Sequence, residues 1–371
     1  MQNNFLQLGL QKLNLSTIFF INLFLILGIT CQRNNLPVLI LVSLLSLICS
    51  LYACYIKDKL DNSFIYPIAF LIGALLYQNQ QSNFSSFINE YCKKQFDVIA
   101  VIQDITIAKS NKKKLMLNVS KITHTSQWQN TNQTIKLTLD QKADISNLQI
   151  SDEIKINNLF FKFPNSFLRD NLLKEEISAY TTTKYFSYEF IKKPTYSFNR
   201  FFKNLRNKIF ARLKEKMSKE TFALFSSVFL GNKSVGMRTL SQFKKKFNNW
   251  GLAHYLARSG LHLVVIFLAW FFIISIFPIS FIIKQIIIFF IIFVYSLLSW
   301  SSIPFIRSLI TFTLYKICII FNLQINTLHC LNLACLIMLL INPIQLFFLD
   351  FQLSFVLTFA LIWINSFNLN Q

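Results

Sequence analysis

The stretch from Phe222 to Ile266, FALFSSVFLGNKSVGMRTLSQFKKKFNNWGLAHYLARSGLHLVVI, decides how the rest of the chain is read. The sequence has seven glycines, and four of them (Gly231, Gly236, Gly251 and Gly260) fall here with two of its four histidines, His254 and His262. Glycine permits positive φ and close approach of backbones, so this clustering marks sharp bends or tight packing. The pattern predicts a helix over 252–266. In it His254, Arg258 and His262 recur every four residues and share a strip about 80° wide. After Leu261 the sequence is almost purely apolar. The strip therefore enters or borders a bilayer, where ionisable side chains usually face a bundle interior or a wet cavity. The alternative is that both histidines are interfacial, each with a local hydrogen-bond partner. A histidine near Ser259 also suggests nucleophilic catalysis, yet no acid is placed to orient it. No catalytic residue is assigned, and the chain is expected not to be an enzyme.

Working outward, the 371 residues are 53% hydrophobic and include 41 phenylalanines in long charge-free runs. That composition indicates an α-helical polytopic membrane protein. The runs are continuous and not alternating, so they predict a helical bundle and not a membrane β-barrel. The formal charge of +21 invites a polyanion, either nucleic acid or anionic lipid. Phe, Ile, Asn and Lys also share A/T-rich codons, so a biased genome raises all four together. Of the seven cysteines only Cys92 lies by the polar middle region, and no C-x-x-C occurs. Neither a disulfide within that region nor a metal site or cofactor is expected.

Three apolar runs, Thr17–Thr30, Leu36–Ile56 and Phe64–Tyr77, make residues 1–78 an amino-terminal transmembrane region. The first could be read as a signal peptide, but a second run follows almost at once, which favours a retained anchor. Lys12, Lys57 and Lys59 on one side and Arg33 on the other place the amino terminus in the cytoplasm and the next domain outside. Over 79–193 apolar and polar residues alternate. Strands are predicted at Phe96–Ile107, Leu115–Ile122, Thr134–Leu139, Ile154–Phe163 and Ala179–Tyr188, which suits a small all-β barrel inserted between the membrane regions. Lys112, Lys113 and Lys114 on a turn, with Trp128 nearby in the chain, are either a surface for single strands or a solvated hairpin tip.

Residues 194–230 read as an amphipathic basic linker helix. Phe198, Phe202, Leu205, Ile209, Leu213 and Met217 recur at helical spacing among Arg200, Lys203, Arg206, Arg212, Lys214 and Lys219. Such a helix lies on a membrane surface, packs on the barrel, or presents its arginines to phosphates, ranked in that order. From 231 to 371 apolar runs dominate: Leu263–Ile283 with a break at Pro278, Ile286–Leu298, Phe305–Phe321, Leu328–Ile341 and Phe347–Ile364. Arg307 follows Pro304 at the start of one run, where it either serves a pathway or snorkels to the interface. Asp350 is its candidate partner, and Gln352 and Ser354 are candidates for hydrogen bonds to neighbouring helices.

Three segments also carry a family resemblance. GLAHYLARSGLH, from Gly251 to His262, resembles the glycine-histidine-serine signature of the ComEC family. SIPFIRSLI around Arg307 looks like that family's P-x-x-R-A segment, and NPIQLFFLDFQLSF from Asn342 to Phe355 looks like its P-x-x-L-x-x-x-G-F-Q-L-S-F. SDEIKINNLFF followed by FPNSFLRDNLLKEEISAYTTTK looks like the end of its OB-fold domain, with Asp152 near a strand start and a short helix before the last strand. The resemblance spans Leu36 to Ile364 and implies a bacterial inner-membrane channel component for uptake of single-stranded DNA in natural transformation. Its OB-like domain would lie on the outer side, and 231–371 would be part of the competence membrane domain.

The residues this implies for the transport pathway are His254, Arg258, Ser259, Gly260, His262, Arg307, Gln352 and Ser354, with Gly231 and Gly251 as structural glycines. The implied partners are single-stranded DNA, the lipid bilayer, a separate polypeptide supplying missing helices or a nuclease, and a cytoplasmic DNA-translocating ATPase. Arg258, Asn232, Ser308 and Asp350 depart from the aliphatic residue, acid, alanine and glycine that the family generally has there. Family members usually continue with more helices and often a metallo-β-lactamase-like domain. The histidines at 124, 254, 262 and 329 compose no H-x-H-x-D-H motif. The rival expectation is therefore a non-transporting remnant or one half of a split gene.

Overall fold

The structure is a computed structural model that describes residues 17–38, 41–42, 44–45, 65–92, 94–107, 112–123, 127–140, 145, 147–183, 186–194, 197–231, 243, 245, 247–250, 260–299, 302–321, 323 and 327–368. They divide between two compact units. One draws on 1–82, 273–289 and 303–371, the other on 83–272 and 290–302. Most of the run expected over Leu36–Ile56 lies outside the described residues.

The second unit is built on a six-stranded mixed sheet: β1 (Gln95–Ile107), β2 (Lys113–Thr123), β3 (Gln129–Leu139), β4 (Glu153–Phe160), β5 (Ala179–Thr183) and β6 (Tyr188–Lys192). The strand order is β5-β3-β2-β1-β4-β6, antiparallel except for the β3–β5 pair. Alternation fixes which face is inside, because successive side chains of a strand point to opposite sides. Leu115, Leu117 and Val119 of β2 and Ile135, Leu137 and Leu139 of β3 are all fully buried. Beyond the end of β4, Lys162 pairs with Tyr180 of edge strand β5, so the chain after β4 reaches the opposite edge and the sheet curls onto itself. Helix α3 (Ser166–Lys174), capped by the Asn165 side chain on the Leu168 amide, joins β4 to β5.

Six strands stand where five are predicted, because β5 covers 179–183 and β6 begins at Tyr188, where the predicted strand ends, and runs to Lys192. The former pairs with β3 and the latter with β4. Lys113 and Lys114 are paired residues of β2, not turn residues, and Trp128 precedes β3 beside the far end of β2. Nine residues of strand, roughly 30 Å, separate the two groups, so they do not form one surface.

Helix α2 (Ile65–Tyr91) runs past the expected boundary at residue 79. Its polar half has neither glycine nor proline, and Phe84, Phe87, Ile88 and Tyr91 repeat at helical spacing and are all buried. Phe87 meets Phe161 at 6.1 Å, and Tyr91 meets Phe96 at 5.2 Å. The Tyr91 hydroxyl donates to Gln129 Oε1 at 2.9 Å. Burial, reinforced by a hydrogen bond to Glu90, pushes that phenol up to about 12, so it stays a neutral donor at physiological pH.

The predicted linker helix is two helices, α4 (Phe198–Lys216) and α5 (Lys219–Val228), each opened by a serine cap, Ser197 and Ser218. Its cations answer the ranking of readings. Arg200 pairs with Asp152, which is 1% exposed, and also donates to the carbonyls of Ile150 at 2.8 Å and Pro194 at 3.3 Å. Lys203 reaches Asp104 at 3.0 Å, and Arg206 lies 4.0 Å from the same carboxylate. Burial lowers the Arg206 guanidinium from its ordinary value, while Asp104 pulls the other way. The side of α4 that carries these cations is thus fastened to the sheet, the reading ranked second.

In the first unit, α1 (Thr17–Arg33) crosses the apolar half of α2 at two glycines. A Cβ on Gly28 would fall on the Phe70 carbonyl and 3.1 Å from the Ala74 amide, and one on Gly73 would meet the backbone of Leu25. Small residues of this kind let two helix backbones come into direct contact. Gly28→Leu is expected to cost more than the ~1–3 kcal/mol typical of overpacking, because backbone cannot move aside as a side chain can. Thermal unfolding in detergent checks this, and an unchanged midpoint would refute the crossing.

The remaining helices are α6 (Gly260–Ser275), α7 (Phe281–Leu298), α8 (Ile303–Ile320), α9 (Thr327–Ile341) and α10 (Leu349–Asn368), with a 3₁₀ turn at Pro343–Phe347. The break at Pro278 is present, between α6 and α7. Among the described residues two helices, α7 and α8, are long and apolar enough to cross a membrane, and α1, α6, α9 and Leu349–Ile362 are shorter apolar segments.

Candidate transport site

Helix α8 begins IPFIR, with Pro304 in its first turn, where the missing amide hydrogen is not needed. This start sets Arg307 one turn into an apolar helix, half-buried. Its Nη1 donates to Thr358 Oγ1 on α10, and the Thr358 hydroxyl donates in turn to the Ser354 carbonyl at 2.7 Å. The Arg307 guanidinium carbon is 5.8 Å from the Phe355 ring centre, within cation–π range. Arg307 Nε is buried and makes no hydrogen bond among the described residues. One edge of the guanidinium is held while a donor on another edge remains uncommitted.

Asp350 is not the partner that holds Arg307. It is exposed at the start of α10, eight residues before Thr358 and so about 12 Å away along the axis. Gln352 does not reach a neighbouring helix, since its Nε2 donates to the Leu346 carbonyl at 2.9 Å in the preceding 3₁₀ turn. Ser354 joins the Arg307 chain through its backbone oxygen.

Several polar residues of the same unit were not singled out in the sequence. Lys316 of α8 and Gln285 of α7 are each 2% exposed and hydrogen-bonded to one another, with the Phe312 and Tyr315 rings 5.3 and 5.7 Å from the ammonium. Nine residues separate Lys316 from Arg307, which puts them on opposite sides of α8. That helix therefore carries one cation toward α10 and another toward α7. Elsewhere Asn22 of α1 donates to the Asn332 carbonyl of α9 at 2.7 Å, while Asn22 Oδ1 and Asn332 Nδ2 have no hydrogen bond among the described residues. Gln80 donates to Asn342 Oδ1 at 3.1 Å.

In the other unit, Gly231 follows α5 with φ 77°, a conformation that favours glycine. His262, 8% exposed, meets the Phe229 ring nearly edge-on at 5.8 Å, and Tyr295 donates to the Phe229 carbonyl. Gly260 opens α6. His254, Arg258, Ser259 and Gly251 lie outside the described residues, so of the predicted strip His254, Arg258 and His262 only His262 is described. Among the described residues no group of three or more His, Cys, Asp or Glu is placed to hold a metal.

Residues 230–370 match the family model described as Competence protein. That region is similar to a Competence protein domain. The match begins one residue before Gly231 and takes in His262, Arg307, Lys316 and Thr358. It supports the ComEC-family assignment and points to a role in competence and DNA uptake. No curated protein and no solved structure matches the chain.

Proposed function

We propose that the chain is a multi-pass inner-membrane component of the channel that admits single-stranded DNA during natural transformation, and that it conducts without catalysing. The observation that carries this is Arg307 within the Competence region, fixed by Thr358 and Phe355 inside apolar helices, with a buried donor left over. Charged groups in apolar helices are costly and are found where an ion or substrate passes. A guanidinium suits a phosphate diester, since its planar fork matches two oxygens. The buried Lys316 supplies a second fixed cation on the same helix.

His254, Arg258, Ser259, Gly260 and His262 serve the same transport step in this proposal, with Gly231 and Gly251 shaping the backbone around them. The sheet domain is the outer, OB-like module. Its parallel β3–β5 pair and the Lys162–Tyr180 closure support that reading, and such folds commonly take single strands. The test is deletion of the gene from a competent cell fed labelled duplex. DNA should still bind at the cell surface but fail to reach the cytosol. Undiminished cytosolic label would refute the proposal.

A further inference from the structure

Fastening one side of α4 to the sheet has a consequence for its other side. With Arg200, Lys203 and Arg206 engaged by Asp152 and Asp104, a rotation of 100° per residue turns Phe198, Phe201, Ile209, Lys208, Arg212 and Lys216 into a single outward sector. The exposures agree. Phe198 is 62% exposed, Phe201 53% and Ile209 37%, and the three cations are exposed too. The apolar stripe read from the sequence is split, since Phe202, Leu205 and Leu213 are half-buried while Phe210 meets the Phe222 ring of α5 at 4.8 Å and a 60° tilt. The surface left outside is a mixture of large apolar rings and positive charge, and Glu215 is the one acid in the helix.

We propose that this sector of α4 is a docking surface for an anionic lipid bilayer. Phe198, Phe201 and Ile209 enter the headgroup boundary while Lys208, Arg212 and Lys216 meet lipid phosphates. Two exposed phenylalanines in one sector are unfavourable in water and favourable at a membrane boundary. Basic residues beside them add attraction that depends on acidic lipid. The ion pairs behind the helix orient it, so the sector is presented without a folding step on binding. A single-stranded nucleic acid is the other polyanion with a use for rings and cations. It is disfavoured because Ile209 gives a base nothing to stack on, whereas all three apolar side chains suit lipid.

The experiment uses the full chain in nanodiscs, with p-benzoylphenylalanine placed at Phe201 or, as a control on the opposite side of the helix, at Asn207. Illumination is carried out in discs with and without phosphatidylglycerol and with a single-stranded oligonucleotide present. The expected result is lipid adducts from position 201 that exceed those from 207 and fall at least about tenfold when acidic lipid is absent or when Lys208→Glu and Arg212→Glu are combined. Adducts to the oligonucleotide in place of lipid would overturn the proposal in favour of nucleic acid. Absence of both adducts, in protein whose circular dichroism is unchanged, would overturn it outright.

Discussion

Arg307→Ala is expected to lower entry of DNA into the cytosol by about 10- to 100-fold with near-normal amounts of inserted protein. The estimate follows from losing one charge-assisted hydrogen bond to a passing phosphate, worth ~1.5–3 kcal/mol, at about 1.4 kcal/mol per tenfold in rate. Two further variants separate charge from placement. Arg307→Lys keeps the cation but loses the planar fork, so uptake should fall to an intermediate level. Thr358→Val leaves the arginine whole but removes the hydroxyl that holds it. A few-fold loss is expected there, since a neutral hydrogen bond contributes ~0.5–1.5 kcal/mol. Uptake unchanged in Arg307→Ala at equal protein level would remove this residue from the pathway. A loss explained wholly by missing protein would make it structural.

The second large effect lies in the sheet domain. Asp152, in the turn before β4, accepts from the Gln149 amide at 2.8 Å and pairs with Arg200 while almost fully buried. Removing one partner of a buried pair strands the other charge, which costs ~3–5 kcal/mol. Asp152→Ala should therefore cost about that much and detach the start of α4. The result should be read as a lower denaturation midpoint together with faster amide exchange over 198–210. Asp152→Asn, which keeps an acceptor for the Gln149 amide, should be milder. A loss under about 1 kcal/mol in Asp152→Ala would mean that α4 is not fastened by this pair.

The two kinds of period in the sequence were legible to different degrees. Strands β1 to β4 announce themselves because Leu115, Leu117 and Val119, and their counterparts in β3, alternate with polar residues and have one buried face. That β5 and β6 are separate strands does not show, because it rests on the change of pairing partner from β3 to β4. The change from apolar to polar composition at residue 79 resembles a domain boundary, although α2 continues to Tyr91. The helical spacing of buried Phe70, Ala74, Tyr77, Phe84, Ile88 and Tyr91 runs through that change.

Arg307 was visible because a guanidinium in an apolar run is conspicuous. Thr358 was not, since a threonine in such a helix reads as ordinary and its role depends on which helix lies opposite. Lys316, four residues from the end of α8, looks like a side chain that snorkels to the interface. Its burial against Gln285 comes from tertiary packing alone. The two glycines of the α1–α2 crossing stand alone in their helices, and nothing local marks their contact.

The measurement that bears most directly on the central claim is aqueous access beside Arg307. In a background with the native cysteines replaced, Ser354→Cys and Thr358→Cys would be exposed in intact cells to a charged, membrane-impermeant thiol reagent. Leu353→Cys, at a position 54% exposed on the outside of α10, serves as the hydrocarbon-facing control. A phosphate route through these helices predicts that 354 and 358 react, that single-stranded DNA in transit slows the reaction, and that 353 stays inert. Positions 354 and 358 as unreactive as 353, in cells that take up DNA normally, would contradict the account.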